Sequence, residues 1–355
     1  MNVLMMTPTV APLDPSHGFI YTLVEQIARR VDKLYVITLV HEGGKPDGVT
    51  EIYSLDTSRT RLSKLLYLNR VLLKVMPQVD VVFTHMYPIF PILVWPCARL
   101  FGKPIVMWRT HCHMNMRTRL SHALASKVVT AVPESFRIKS RKVKVIGHSV
   151  ELDKFAFRTK PHTKDGPIIL SVGRISPVKN YEIMIEALTI LVKTYGLKTS
   201  QFIFVGGPAS ESKDPYFQKI MALARERKVE EHCVFTGPIP FNQIEEFYQR
   251  AELFISATPT GSFDRVVLEA IASGNLPLVC NKAFLPFLGE YGNLLVFREN
   301  DPQDLAKKTA DLYAMRQEDK DKIRVFLRKM VETEHSFDAR LSKLVAVFQE
   351  VSGKH

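Results

Sequence analysis

Short apolar runs alternate with stretches of helical periodicity along most of the chain. Residues 3–7 read as a buried strand. Gly18 then opens a helix whose apolar positions, Phe19, Leu23, Val24, Ile27, Ala28 and Val31, recur at helical spacing. Residues 34–39 form the next expected strand. Residues 62–75 read as a basic amphipathic helix with leucines at 62, 65, 66, 72 and 73. Strands are expected over 79–84 and 104–108, with an apolar helical stretch between them, and over 127–132 and 143–146. Repeated strand–helix units favour a largely parallel sheet covered on both faces.

Residues 157–167 break the pattern. The segment is polar, with two prolines and a glycine, and reads as a linker. A second series follows. Its strands fall at 168–172, 202–205, 234–236, 253–256 and 277–280. Its helices fall at 181–195, 215–229, 244–250 and 265–273, and the tail from residue 302 is helical and charged. The fold class is therefore α/β, with two Rossmann-like doubly wound domains over 1–158 and 165–330. A ligand is expected in the cleft between them, at the carboxyl ends of the strands. No solenoid repeat or low-complexity tract interrupts this organisation.

Composition agrees with that picture. At 355 residues, 46% hydrophobic and 24% charged, the chain is neither disordered nor fibrous. The longest apolar run, 86–98, is too short for a membrane span and is interrupted by Pro88, Pro91 and Pro96. The first residues read as a strand and not as a secretory signal, so a cytoplasmic location is expected. The four cysteines, Cys97, Cys112, Cys233 and Cys280, are far apart, fit no metal spacing and read as reduced thiols.

Charge adds a partner. The chain carries +12, yet residues 58–144 alone carry +14, because their only acids are Asp80 and Glu134. An anionic partner is implied for that half: a membrane surface, a lipid phosphate or a nucleic acid. A solubilising bias is the plain alternative.

Four segments carry candidate chemistry. In residues 171–180 a strand ends, Gly173 turns, and Arg174 and Lys179 stand just before a helix. Two cations beside a helix N-terminus suit a diphosphate. The plain alternative is a basic loop with Asn180 as helix cap. In residues 260–270, Gly261, Ser262 and Asp264 precede a helix bearing Glu269. A carboxylate there can accept both hydroxyls of a ribose, and the free amides near its start can hold phosphate or sugar oxygens. The plain alternative makes Asp264 an N-cap and Glu269 a solvated residue. The loop 7–18 holds Ser16, His17 and Gly18, where glycine permits close approach of a ligand to the backbone. His85, His111 and His113 follow strand ends, the functional edge of such sheets, and match no zinc pattern. The single Asp-x-Asp, Asp319-Lys320-Asp321, reads as a solvated helix face. No GxGxxG, Walker A or GxSxG sequence is present.

In order, VGRISPVKN (172–180), FVGGP (204–208), VFTGPIP (234–240) and TGSFDRVVLEAIASG (260–274), with the N-terminal glycine loop and VIGHSVELDKF (145–155), resemble glycosyltransferase family 4, the retaining GT-B group. The resemblance covers nearly the whole chain and points to a bacterial subgroup with TGSxD before the helix. It implies a hexosyltransferase that moves a sugar from a nucleotide-sugar donor to a saccharide or lipid-linked acceptor hydroxyl, with no metal or other cofactor. Arg174 and Lys179 would neutralise the diphosphate, with Gly173 at the turn. Glu269 would hold the ribose, Gly237 to Ile239 the base, and Gly18 would bring amides from the other domain. His111 would lie near the donor sugar and acceptor, with His17 and His85 on the acceptor side. A C-terminal helix, about 337–351, would return to the first domain.

One departure stands out. The family has two glutamates eight positions apart, and here the first position is Gly261. Either Asp264 substitutes for it, or amides alone hold the sugar. A non-catalytic GT-B partner subunit and a sugar-nucleotide epimerase are the alternatives. A nucleic-acid partner ranks last, because no nucleic-acid-binding motif accompanies the charge. The basic stretch 58–144 is expected to favour an anionic membrane surface, placing the protein peripherally on the inner face of the cytoplasmic membrane and in envelope polysaccharide synthesis.

Overall fold

The computed structural model describes residues 1–55, 60–158, 167–198, 200–207 and 214–354. It divides into two compact units, Met1–His148 with Phe337–His355, and Ser149–Ser336.

In the first unit the strands are β1 (Asn2–Val10), β2 (Lys33–His41), β3 (Glu51–Ser54), β4 (Val81–His85), β5 (Ile105–Trp108), β6 (Lys127–Thr130) and β7 (Val143–Val145). The helices are α1 (Phe19–Ala28), α2 (Arg61–Val75), α3 (Ile89–Leu100) and α4 (Met116–Leu124). The sheet order is β3-β2-β1-β4-β5-β6-β7, parallel throughout. Strand order reverses between β1 and β4, the point at which doubly wound folds open a crevice at their carboxyl edge. Eight of the nine β1 residues are buried, as expected for a central strand covered on both faces.

Leu68, Val71, Leu72 and Val75 of α2 and Phe90 and Val94 of α3 pack with Leu4, Met6, Tyr35 and Ile37. Each such side chain contributes roughly 1.5–3 kcal/mol when fully buried. The expected leucine face of α2 is thereby divided. Leu72 is buried, while Leu62 and Leu66 remain 67% and 63% exposed and Leu65 and Leu73 are also exposed. Two elements carry no readable periodicity and were not anticipated. β3 is a half-buried edge strand, and α4 buries only Thr118 and Ser121.

In the second unit the strands are β8 (Ile168–Val172), β9 (Gln201–Val205), β10 (Cys233–Gly237), β11 (Leu253–Ser256) and β12 (Leu276–Val279). The helices are α5 (Tyr181–Lys193), α6 (Pro215–Glu226), α7 (Glu245–Arg250), α8 (Arg265–Ala272), the short α9 (Leu285–Leu288) and α10 (Gly292–Leu295), α11 (Pro302–Ala314) and α12 (Gln317–His335). The sheet is again parallel, in the order β10-β9-β8-β11-β12. Its order reverses between β8 and β11. A last helix, α13 (Phe337–Ser352), belongs to the first unit. There the Phe348 ring meets Phe83 of β4 at 5.3 Å, and the Arg340 guanidinium lies 4.2 Å from the Trp108 ring centroid.

Two expectations need correction. The boundary expected at residue 158 lies at 148/149 instead. Residues 149–158 pack on the second unit: the Phe155 ring meets Tyr248 at 5.4 Å, Arg328 Nη1 donates to the Phe155 carbonyl at 2.9 Å, and Gln249 Nε2 donates to the Ala156 carbonyl at 3.0 Å. The second unit also runs past the expected 330 to Ser336. Residues 159–166 of the expected linker, residues 58 and 59 of the basic stretch and Pro208 lie outside the described residues. Second, the segment 319–321 is only in part a solvated face: Asp319 and Asp321 are half-exposed, but the residue between them is not. Lys320 is fully buried and donates to Glu252 Oε1 at 2.8 Å.

Candidate donor and acceptor sites

At the carboxyl edge of the second sheet, the ends of β8, β9 and β10 are joined through backbone. Gly173 N donates to the Val205 carbonyl at 2.9 Å, Gly206 N to Gly237 at 3.0 Å, and Ile175 N to Gly207 at 3.0 Å. The approach demands glycine: a Cβ on Gly206 would stand 2.2 Å from the Gly173 carbonyl oxygen. This fixes the loop that carries Arg174 and Lys179.

The two cations differ. Arg174 is exposed, and its guanidinium makes no hydrogen bond or ion pair among the described residues. Lys179 folds back over Gly173, and its Nζ reaches Asp264 Oδ2 at 2.7 Å. Asp264 also accepts from Ser256 Oγ at 3.0 Å and Thr258 Oγ1 at 2.6 Å. It stands at the N-cap position of α8 without making a side-chain capping bond. Asn180, the other candidate cap, is left-handed (φ +50) and donates instead to Asn300 Oδ1 at 2.9 Å. Burial alone would raise the Asp264 pKa. The Lys179 ammonium and the Thr258 and Ser256 hydroxyls outweigh that and hold it below the ordinary carboxylate range.

The sign follows. A depressed folded pKa contributes stability that is complete above an unfolded carboxylate pKa of about 3.9 and is lost as pH falls through the lower folded value. Asp264→Asn is therefore expected to cost about 1–3 kcal/mol at neutral pH, the scale of stranded buried donors. Melting temperatures at pH 7 and pH 3 check this: the gap to wild type narrows at the lower pH.

Gly261 is buried with φ +136, a backbone that L side chains rarely adopt. The missing first glutamate is thus written into the backbone, and restoring it by side chain alone would strain the loop. Asp264 is engaged by Lys179 and the hydroxyls. The loop is braced on its other flank, where Thr260 N and Oγ1 donate to Glu299 Oε1 at 3.1 and 2.9 Å and the Phe263 ring stacks on Phe284 at 4.1 Å.

Glu269 is 1% exposed, which corrects the solvated-helix alternative. Its Oε2 accepts from the Tyr248 hydroxyl at 2.9 Å, and Arg265 Nη1 lies 3.3 Å from Oε1. Burial, then Glu269 itself, raises the Tyr248 pKa, so the phenol stays protonated and donates. Oε1 receives no hydrogen bond among the described residues. Sequence reasoning missed Tyr248, Ser256 and Thr258. Ser256 ends β11 and Thr258 follows it, the one positional signal available for them. Gly237 (φ +72) and Ile239 stand at the half-buried end of β10.

In the first unit, His17, Gly18, His85 and His111 lie near the carboxyl ends of β1, β4 and β5. His85 is 1% exposed, bonded through Nδ1 to Thr7 Oγ1 at 3.1 Å and stacked with Trp108. It belongs to the packing beneath the edge, not to an open acceptor surface. Gly18 N donates to the Asp14 carbonyl at 2.8 Å, so its own amide is spent; His17 N donates to Asp14 Oδ1. His111 is exposed, and its Nδ1 accepts from His113 N at 3.1 Å. Partial desolvation, then the charges of Arg109 and His113, lowers its pKa and keeps it neutral near pH 7. Arg109 was also missed; its Nη1 donates to the carbonyl of Met86, itself at φ +69. Among the described residues no group of three or more His, Cys, Asp or Glu side chains is placed to hold a metal ion.

Residues 153–326 match the family described as glycosyl transferases group 1. The chain is 34% identical over 113 residues to D-inositol 3-phosphate glycosyltransferase of Acidothermus cellulolyticus, covering 31% of this chain and 25% of that protein. It is 27% identical over 161 residues to alpha-monoglucosyldiacylglycerol synthase of Streptococcus pneumoniae, covering 42% and 34%. These alignments span only a quarter to a third of the relatives' length. The structure resembles that of Anabaena Alr3699/HepE in complex with UDP and glucose, with TM-score 0.78 at 14% identity, over 99% of this chain and 100% of that one. Residues 153–326 of the chain thus match the glycosyl transferases group 1 family, just under half of its length, and the chain has the two-domain α/β GT-B fold.

Proposed function

We propose that this protein is a retaining, metal-independent hexosyltransferase that moves a sugar from a nucleoside-diphosphate donor to a hydroxyl of a saccharide or lipid-linked acceptor. The observation that carries the reading is the unpaired Arg174 at the end of β8, beside Lys179 fixed by Asp264. Cleavage of the sugar–phosphate bond builds negative charge on the leaving diphosphate. Lys179, held in place by Asp264, and the open guanidinium of Arg174 stabilise that charge in the transition state and supply the role a metal would otherwise take. The acceptor oxygen attacks the anomeric carbon from the face the phosphate leaves, and the departing phosphate takes its proton. No protein nucleophile enters. Glu269, whose buried Oε1 accepts no hydrogen bond among the described residues, is assigned to the ribose hydroxyls, while Gly237 to Ile239 meet the base through backbone. With Gly261 in place of a carboxylate, Ser262 and neighbouring backbone hold the donor sugar. The UDP and glucose bound by the Anabaena protein and the glucosyl-lipid product named for the pneumococcal relative support donor and acceptor classes of this kind.

A thermal-shift panel of UDP, GDP and ADP without added metal tests the donor site. One nucleotide is expected to stabilise the protein, by about 2.7 kcal/mol at a hundredfold excess over Kd. No shift with any of them overturns the reading and favours a non-catalytic partner subunit, for which Gly261 is the supporting observation.

The acceptor is assigned to the first unit, where the exposed Leu62, Leu65, Leu66 and Leu73 of α2 stand among Arg61, Lys64, Arg70 and Lys74. Such a helix suits an anionic bilayer surface. Among the described residues no helix is long and apolar enough to cross a membrane. Flotation with anionic liposomes is expected to carry the protein at low salt and to release it at high salt. Failure to float at low salt counts against peripheral docking on the inner face of the cytoplasmic membrane.

A further inference from the structure

The first unit holds a cavity of about 400 Å³ lined by Cys112, His113, Met114, Arg119, Arg137 and Ile138. That size falls in the range of small-ligand sites. Its apolar residues, Met114 and Ile138, rest on the buried cluster of Met107, Ala125, Val128 and Phe136. The polar part is cationic. Arg119 of α4 and Arg137 are exposed, and neither guanidinium makes a hydrogen bond or ion pair among the described residues.

The neighbouring charges are committed elsewhere or also lack a counter-charge. Lys127 and Lys144 share Glu350, and Lys142 Nζ donates to the carbonyls of Ala123 and Ala125 at the end of α4. Glu134 is the only acid between residues 109 and 144. The N-terminus of α4 is already capped, since Asn115 Oδ1 accepts from Thr118 N at 2.9 Å. The guanidiniums, not helix amides, are the donors on offer. Two guanidiniums without a counter-charge beside one cavity present the paired N–H donors that a phosphate accepts in bidentate bonds.

We propose that this cavity is a binding site for a phosphate ester, held by Arg119 and Arg137 with His113 beside them, its organic group lying on Met114 and Ile138. Where the glycosyltransferase reading holds, the ligand is the acceptor, and the site assigns it a phosphate. The phosphate belongs either to a lipid headgroup or to a water-soluble ester.

Calorimetric titration of the full chain separates these. The probes are dihexanoyl phosphatidic acid, glycerol 3-phosphate and uncharged dihexanoylglycerol. Wild type is compared with the double variant Arg119→Gln/Arg137→Gln and with Arg141→Gln, an exposed cation outside the cavity. Phosphatidic acid is expected to bind at least tenfold more weakly to the double variant and within twofold of wild type to Arg141→Gln. Equal binding of glycerol 3-phosphate with the same dependence identifies a water-soluble ester. Preference for phosphatidic acid identifies a lipid. Binding of neither phosphate, binding unchanged in the double variant, or equal loss in Arg141→Gln overturns the site. The nucleotide thermal shift, measured in parallel, keeps the two readings apart. Its absence in wild type, together with Arg119- and Arg137-dependent phosphate binding, removes the glycosyltransferase reading and leaves this site standing.

Discussion

Arg174→Ala is expected to lower kcat/KM for the nucleotide-sugar donor by about 10²–10³-fold, the usual cost of removing one hydrogen-bond donor from a developing oxyanion. The substitution is clean. The side chain is exposed and unpaired, so its loss opens no void and strands no partner. The melting temperature of the free protein should therefore stay close to wild type. Most of the loss should appear in kcat, because charge on the leaving diphosphate peaks in the transition state. Nucleoside-diphosphate binding should weaken as well, since that product carries the same charge. Lys179→Ala gives a less direct answer, because it also strands the buried carboxylate of Asp264. Initial rates over a donor concentration series, with a thermal scan of each variant, provide the check. Near-wild-type turnover by Arg174→Ala would remove the assigned diphosphate clamp.

Glu252→Ala is expected to destabilise the second unit by about 3–5 kcal/mol, the range for breaking a buried ion pair from one side. Glu252 lies at the start of β11, with its amide on the Ile168 carbonyl at 3.0 Å. Its carboxylate receives Lys320 at 2.8 Å and faces Arg324 at 3.7 Å, and both cations on α12 are essentially fully buried. Removing the acid leaves the buried Lys320 with the Tyr313 carbonyl but no counter-charge, and Arg324 with Asp321 alone. For a unit of this size each kcal/mol moves the melting temperature by roughly 2–4 °C, so a fall of about 6–20 °C is expected. Glu252 sits at the amino edge of the sheet, away from Arg174 at the carboxyl edge. Nucleotide binding measured well below the transition should survive in Glu252→Ala. A variant that melts with wild type would show that Lys320 finds another partner.

The fold was largely legible because its signals are local. Parallel strands buried on both faces announce themselves as short apolar runs, as residues 168–172 and 253–256 do, and the covering helices show a 3.6-residue repeat. Elements without an apolar stripe escaped. In α4 the buried positions are Thr118 and Ser121, and no pattern of hydrophobicity marks them. The unit boundary escaped for a related reason. Composition marks the polar segment after residue 157, but Phe155 and Ala156 are claimed by Tyr248, Gln249 and Arg328, which are remote in sequence.

The sequence by itself determined two strand–helix series, the positions of Arg174, Lys179, Glu269 and His111 near strand ends or helix starts, and the absence of a carboxylate at residue 261. Those follow from periodicity and from residue identity at turns. Tertiary structure alone decided which charges are paired and which remain open. Lys179 meets an acid 85 residues away and Lys320 one 68 residues away. His85 sinks beneath the strand edge while His111 stays on it, and Arg119 and Arg137 come to line one cavity. Burial and charge pairing depend on contacts between distant segments, and no local pattern encodes them.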